Sequence, residues 1–292
     1  MTAEPLLSPG DLRRLDRLAL RTRRALRGEA LGERRSRRVG TGGEFADHRT
    51  YVHGDDLRYV DWNVYFRLGD LVVKRFESEE DVRVLLAVDR SPSMGVAKAR
   101  EARRLAGAIG HVALRRRDAV ALAWLPLVPE RPVEFFRGAA RIPALLARLS
   151  DTPAAGPTAH ARDLDRALSA MPRRGPAVVF SDFFDPAGAV TGLSRLSAHG
   201  YETTAVQLVD EADADLPVGE SVRCVDRETG ETIDLDVTES LRDAVVAAWR
   251  RRADRLRAWC VSREIGWQRV DIGSPFWDVV REMLRARVVL GT

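Results

Sequence analysis

The sequence is poor in cysteine, lysine and long apolar runs, and each shortage closes off a class of function. Its two cysteines, Cys224 and Cys260, stand in no CxxC pair and beside no histidine at metal-ligand spacing. A zinc or dithiol motif is excluded, and two buried thiols are expected rather than a disulfide. The longest apolar run, residues 119–128, holds Pro126 and falls far short of the ~18 residues a membrane helix needs. The opening MTAEPLLSPGDLRRL has no basic head followed by an apolar stretch. No secretory leader is expected, and the chain is expected to be cytoplasmic. His48, His53, His111, His160 and His199 are scattered, with no HExxH. No GxxxxGK[ST] loop or GxSxG elbow occurs either, so the chain is not expected to be an enzyme.

What the chain does hold is arginine. Lys74 and Lys98 are its only lysines, and eleven arginines lie between Arg13 and Arg38, against Asp16, Glu29 and Glu33. Such a stretch is either a solvated helix face or an attractor for an acidic partner, a membrane surface or nucleic acid. No aromatic side chain lies within it. Bases would find nothing to stack on, and nucleic acid is not an expected partner.

Hydrophobic spacing divides the chain into three parts. In 1–38, Leu12, Leu15 and Leu18 predict a helix over 11–31 behind Ser8-Pro9. In 39–80, a glycine-rich break over 39–45 precedes a helix from Asp55 to about Arg67 and a strand over 71–76. In 81–292, short apolar runs at 82–89, 120–126, 132–136, 177–183, 203–209 and 267–272 read as strands. Helices are expected over 97–116, 142–149, 164–171, 187–198 and 275–287. A longer helix carries Leu241, Val245, Trp249, Ala253, Leu256 and Cys260 on one face, and 221–237 reads as a hairpin turning at Thr229-Gly230. This alternation predicts an α/β fold with a mainly parallel, doubly wound sheet and an N-terminal helical and β extension.

In an open sheet of this kind, ligands bind beyond the carboxyl ends of the strands, where strand order switches. Two apolar strands end there in aspartate, Asp89 and Asp182. Ser91 and Ser93 follow Asp89 at alternate positions, and Thr158 stands in the loop before a later helix. Carboxylate and hydroxyl oxygens are what Mg²⁺, Mn²⁺ or Ca²⁺ accepts. The alternative is that Asp89 and Ser91 only cap the next helix. His160 lies close to this loop, where a structural role is expected of it.

The DxSxS loop, the later threonine and the strand-end aspartate resemble the metal-ion-dependent adhesion site of von Willebrand factor A domains. A second resemblance is carried by Gly43-Glu44-Phe45, Arg49-x-Tyr51, Gly54-Asp55-Asp56-x-Arg58, Asp61-Trp62, Arg67, Val73 and Phe76. This set is similar to the signature of the bacterial domain-of-unknown-function family 58, which accompanies MoxR-type AAA+ ATPases. The resemblance implies a von Willebrand factor A-like sheet with Asp89, Ser91, Ser93, Thr158 and Asp182 around a divalent cation. It also implies a protein-binding adaptor that works with a MoxR-type ATPase on a client protein. Glu44, Arg49, Asp55, Asp56, Arg58, Asp61, Trp62 and Arg67 would lock the signature segment onto the main domain or bind a partner. A metal-dependent hydrolase using Asp89 and Asp182 is the other reading, together with surface binding through the arginine-rich helix.

Overall fold

The computed structural model describes residues 5–29, 44–77, 83–129, 132–150, 156, 158–171, 174–227 and 229–285. They form two compact units, one of Met1–Arg21 with Val82–Thr292 and one of Thr22–Asp81.

Helix α1 (Pro9–Glu29) opens the chain. Ser8 and Asp11 exchange hydrogen bonds at its start, the hydroxyl accepting from the Asp11 amide at 3.1 Å and the carboxylate from the Ser8 amide at 3.0 Å. Each side chain thereby satisfies an amide that the first turn leaves unpaired. The smaller unit holds strand β1 (Glu44–Thr50), helix α2 (Trp62–Leu68) and strand β2 (Val72–Glu77), with β1 antiparallel to β2. Its helix is shorter than the sequence predicts. A 3-10 turn at Leu57–Tyr59 comes first, and then Val60, 4% exposed, pairs in extended form with Val73. Burying Val60 breaks the expected helix in two, and Asp61 caps the second piece by accepting from Asn63 and Val64. Strand β1 lies where the sequence predicts no element beyond the glycine-rich break at 39–45. Its polar sequence has no apolar alternation, and ladder bonds to β2 define it.

The larger unit continues with β3 (Arg83–Asp89), α3 (Gly95–Arg115), β4 (Ala119–Leu125), β5 (Glu134–Arg137), α4 (Ile142–Ser150), α5 (His160–Ala170), β6 (Pro176–Ser181) and α6 (Pro186–Ala198). It closes with β7 (Glu202–Val209), the hairpin β8 (Ser221–Val225) and β9 (Thr232–Asp236), α7 (Glu239–Val261), β10 (Gly266–Asp271) and α8 (Phe276–Arg285). Six strands form one sheet in the order β10-β7-β6-β3-β4-β5. All neighbours are parallel except β4 and β5. The fold is thus the mainly parallel α/β sheet the alternation predicts.

Strands buried on both faces need cores on both sides. Val84, Leu86 and Val88 of β3 join one core with Leu105, Ile109 and Val112 of α3 and with Leu15 of α1. Leu85 and Ala87 point the other way, into a core with Leu164, Leu193 and Leu256 from α5, α6 and α7. Gly192 sets how closely two of these helices pack. A Cβ there would lie 2.9 Å from the His160 carbonyl oxygen and 2.8 Å from Leu164. Only glycine lets α6 press against the first turn of α5, which carries His160 beside the loop of Thr158. Both cysteines are free, as expected, but only Cys260 is buried. Burial pushes its thiol up to about 11, so it stays protonated and inert. Cys224 lies on the hairpin and is half-buried.

The first half of α1 is not merely a solvated face. Asp16 accepts from His111 Nε2 at 2.7 Å and from Arg115 at 2.7 and 2.9 Å, and Arg14 stacks on Trp277 at 4.2 Å. Desolvation of His111 outweighs the attraction of Asp16 and holds its imidazole below the ordinary 6.5. The neutral ring then donates to Asp16. Desolvation also raises Asp16, but the bonds from Arg115 and His111 outweigh it and the net shift is downward. The arginines beyond residue 29 lie outside the described residues, as do the side chains of those from 20 to 29. Asp16→Ala should lower stability by about 1–2 kcal/mol in urea denaturation at pH 7.5, since charged hydrogen bonds are lost at a half-buried place. His111 binds its proton more readily unfolded than folded. Its contribution is complete above 6.5 and is lost as pH falls toward the depressed folded value. Wild type should therefore weaken below about pH 6.5, and His111→Asn should remove that part of the slope.

Candidate metal centre

Strand order turns at β3, since β4 lies on one side of it and β6 on the other. The chain leaves the carboxyl ends of β3 and β6 there, and both aspartates sit at this point. Asp89 is 2% exposed. Its Oδ1 accepts from the Ser91 amide at 2.8 Å and from Thr158 Oγ1 at 2.7 Å. Its Oδ2 accepts from Ser181 Oγ at 2.6 Å.

Ser91 is followed by a 3-10 turn, Pro92–Met94, and Gly95 at φ 55° turns the chain into α3. A side chain is disfavoured in that left-handed region. Within the turn, Ser91 Oγ and Ser93 Oγ lie 3.0 Å apart, and Ser93 Oγ donates to Asp182 Oδ1 at 3.4 Å. Of the capping alternative, only the Asp89 bond to the Ser91 amide is present. Neither Ser91 nor Met94 makes a side-chain cap bond to the helix that follows. The hydroxyls bond to one another and to Asp182.

Asp182 follows β6 at 4% exposure. Its Oδ1 also accepts from the Phe184 amide at 3.1 Å. The intervening Phe183 has φ 50°, a costly conformation for a bulky residue. Its amide donates to Ser181 Oγ at 2.9 Å, and its carbonyl accepts from Arg252, which stacks on Phe184 at 4.5 Å. The strained turn is held at both ends, which fixes the direction of Asp182.

All five residues named from sequence thus meet in one place. Four further groups surround them, either unmarked by the sequence or expected only in a structural role. Ser181 holds the rear oxygen of Asp89. His160, 3% exposed, lies 3.2 Å from Ser181 Oγ and 3.6 Å from Asp89 Oδ2, with its ring on Phe183. Lys98, 4% exposed, reaches from the first turn of α3 to Asp182 Oδ2 at 2.9 Å and Asp213 Oδ2 at 2.6 Å. Lys98 did carry a signal, as one of two lysines in an arginine-rich chain, directly after the DxSxS loop. Asp213 had none, lying in an acidic loop among similar residues.

The chemistry of these oxygens fits a hard divalent cation. Among the described residues no cluster of three or more His, Cys, Asp or Glu side chains could hold a metal, so any cation here would depend on the hydroxyls. A hollow of about 170 Å³, lined by Ser93, Lys98, Asp182, Asp213, Asp226 and Arg227, opens beside them. A larger cleft of about 500 Å³ runs from Asp182 past Gln207, Trp249, Arg252 and Arg269.

The signature residues of the smaller unit bond mainly among themselves. Arg49 holds Asp55 through two bonds of 2.7 and 2.6 Å, and each shifts the other toward its charged form. Asp56 pairs with the exposed Arg58, and Asp61 lies 2.9 Å from His48 Nε2. Trp62 and Arg67 lie exposed on α2, and the side chain of Glu44 is outside the described residues. These bonds are charge-assisted pairs within the smaller unit.

Fold and site together define an α/β domain with an oxygen-lined loop cluster at its switch point. Over residues 47–255 the chain matches the family described as protein of unknown function DUF58, and it belongs to that family. The uncharacterized protein Rv1480 of Mycobacterium tuberculosis is 28% identical over 268 residues, covering 82% of this chain and 78% of the relative. MAV169 of Mycobacterium avium is 36% identical over 118 residues, covering 39% and 69%. A solved structure of an aerotolerance-related membrane protein from Bacteroides fragilis is similar at TM-score 0.39 and 16% identity, over 70% of this chain and 99% of that one. Among the described residues no helix is long and apolar enough to cross a membrane.

Ser181 tests the rear support of the site. Ser181→Ala removes a buried donor to Asp89 and an acceptor for Phe183. Urea denaturation should show a loss of about 1–3 kcal/mol, larger than for a Ser→Ala change at exposed Ser169.

Proposed function

We propose that this chain is a metal-dependent protein-binding adaptor of von Willebrand factor A-like type. The observation that carries the reading is the convergence of Asp89, Ser91, Ser93, Thr158 and Asp182 at the strand ends. These side chains would hold Mg²⁺, Mn²⁺ or Ca²⁺, and the bound cation would supply an open coordination position for an acidic side chain of a partner. By the family resemblance, that partner is a MoxR-type AAA+ ATPase or the client on which the two act.

Burial argues against a serine nucleophile at this place. Ser181 and His160 are paired, but they are 0% and 3% exposed, behind Asp89. A substrate cannot reach them, so they serve to position the carboxylate. The hydroxyls of Ser91 and Ser93 have no hydrogen-bonded imidazole to activate them.

A partner carboxylate that enters the coordination shell gains from its partly desolvated surroundings. Metal and partner must then strengthen each other by the same factor. Calorimetric titration should register Mg²⁺ or Mn²⁺ binding to wild type and none to a folded Asp89→Ala. A co-purified ATPase or client should leave the wild-type protein in EDTA and stay in Mg²⁺. Equal metal affinity in wild type and Asp89→Ala would remove the metal centre. Retention of the partner in EDTA would move its binding surface elsewhere.

A further inference from the structure

We infer that Lys98 is a tethered competitor of the divalent cation: its ammonium holds Asp182 until the cation takes that carboxylate over. The inference rests on the metal-centre reading and adds a device to it.

The geometry is specific. Lys98 is the fourth residue of α3, and its side chain runs inward from the first turn, leaving 4% exposed. Its Nζ lies 2.9 Å from Asp182 Oδ2, while the other oxygen of Asp182 accepts from Ser93 and Phe184. A cation that reaches Asp182 must therefore break or bypass bonds already made. The ammonium has somewhere to go, because Asp213 Oδ2 is 2.6 Å away on the loop after β7. Asp213 has the more exposed side chain, at 23% against 2% for that of Asp182. Of the two pairs, the one with Asp182 is the better desolvated and stands to lose more when either partner is taken away.

Residue type supports the same reading. An arginine would grip a carboxylate through a planar two-toothed fork. Lysine, a point charge on a flexible stem, releases one carboxylate and keeps the other without rebuilding the site. In a chain with so few lysines, this one occupies the position where that property matters. The site also gains from a positive charge, since Lys98 lies between the carboxylates of Asp182 and Asp213. Lys98 supplies it in the free protein, and the cation and Lys98 share the work in the loaded one. The expected result is a site that binds its cation weakly and reversibly, and a loop at 211–214 whose grip on Lys98 tightens on loading.

The test is calorimetric titration of Mg²⁺ and Mn²⁺ into wild type, Lys98→Met and the double variant Lys98→Met with Asp213→Asn. The double variant removes one charge of each sign. A general field effect then largely cancels, and the freed Asp182 remains. Affinity should rise by roughly tenfold or more in both variants. Melting should show Lys98→Met destabilised in EDTA and recovered by Mg²⁺, because ligand binding stabilises the folded state. If affinity rises in the single variant but not in the double one, Lys98 acts only through its field and direct competition is overturned. Unchanged or weaker binding in both, or a Lys98→Met that Mg²⁺ does not rescue, overturns it as well. Failure of the metal-centre reading looks different, with no binding to wild type or to either variant.

Discussion

The carboxylate of Asp89 is the interaction on which the rest of the site depends. It is buried at the end of a central strand and accepts hydrogen bonds from three separate parts of the chain. The Ser91 amide comes from the loop entering α3, Thr158 from the loop entering α5, and Ser181 from the neighbouring strand. Remove the carboxylate, and three donors in a water-poor place lose their acceptor together. An unmade buried hydrogen bond costs more than a made one returns. The arrangement is therefore held as a unit, and no loop can leave without exposing the others.

Behind this unit lies ordinary core physics. The two faces of β3 are filled by different helices, and the sheet delivers Asp89 and Asp182 to the same edge. Gly192 permits the contact between α5 and α6 that brings His160 and Thr158 into range. Phe183 accepts an unfavourable backbone conformation, and Arg252 and Ser181 bind its two ends. Strain of this kind persists only where the surroundings over-determine it. Here it aims a carboxylate.

Much of this is legible in the residues. Apolar runs ending in Asp89 and Asp182 mark the strands and the edge where chemistry would sit, because a charge directly after a buried run has few places to go. The serines are legible from spacing, and Thr158 from its loop and the family resemblance. Ser181 is hidden by its position inside an apolar strand, where a hydroxyl reads as neutral filler. Asp213 is hidden because its pairing with Lys98 joins residues far apart in sequence, which no local pattern encodes. The strand at 44–50 is hidden for the opposite reason. Its pairing with β2 comes from the backbone, and its side chains give no period. The signature residues mix both signs of charge, and the two short bonds between Arg49 and Asp55 pair one of each. The break at Val60 is not visible in the sequence, since it takes burial of one valine to stop an otherwise well-capped helix.

The register between β3 and β6 has a further consequence. Leu85 pairs with Ala177 and Val88 with Phe180, so the next residues along are Asp89 and Ser181. A slip of one residue would bring either Phe180 or Asp182 level with Asp89. One slip offers the carboxylate no donor, and the other sets two carboxylates side by side, which is repulsive. A slip would also exchange the two faces of a strand, which fill different cores. The polar residues at the tip act as a proofreading step for the sheet, since only one alignment satisfies them. The same few atoms that prepare a binding place thus also select the correct fold from its near neighbours.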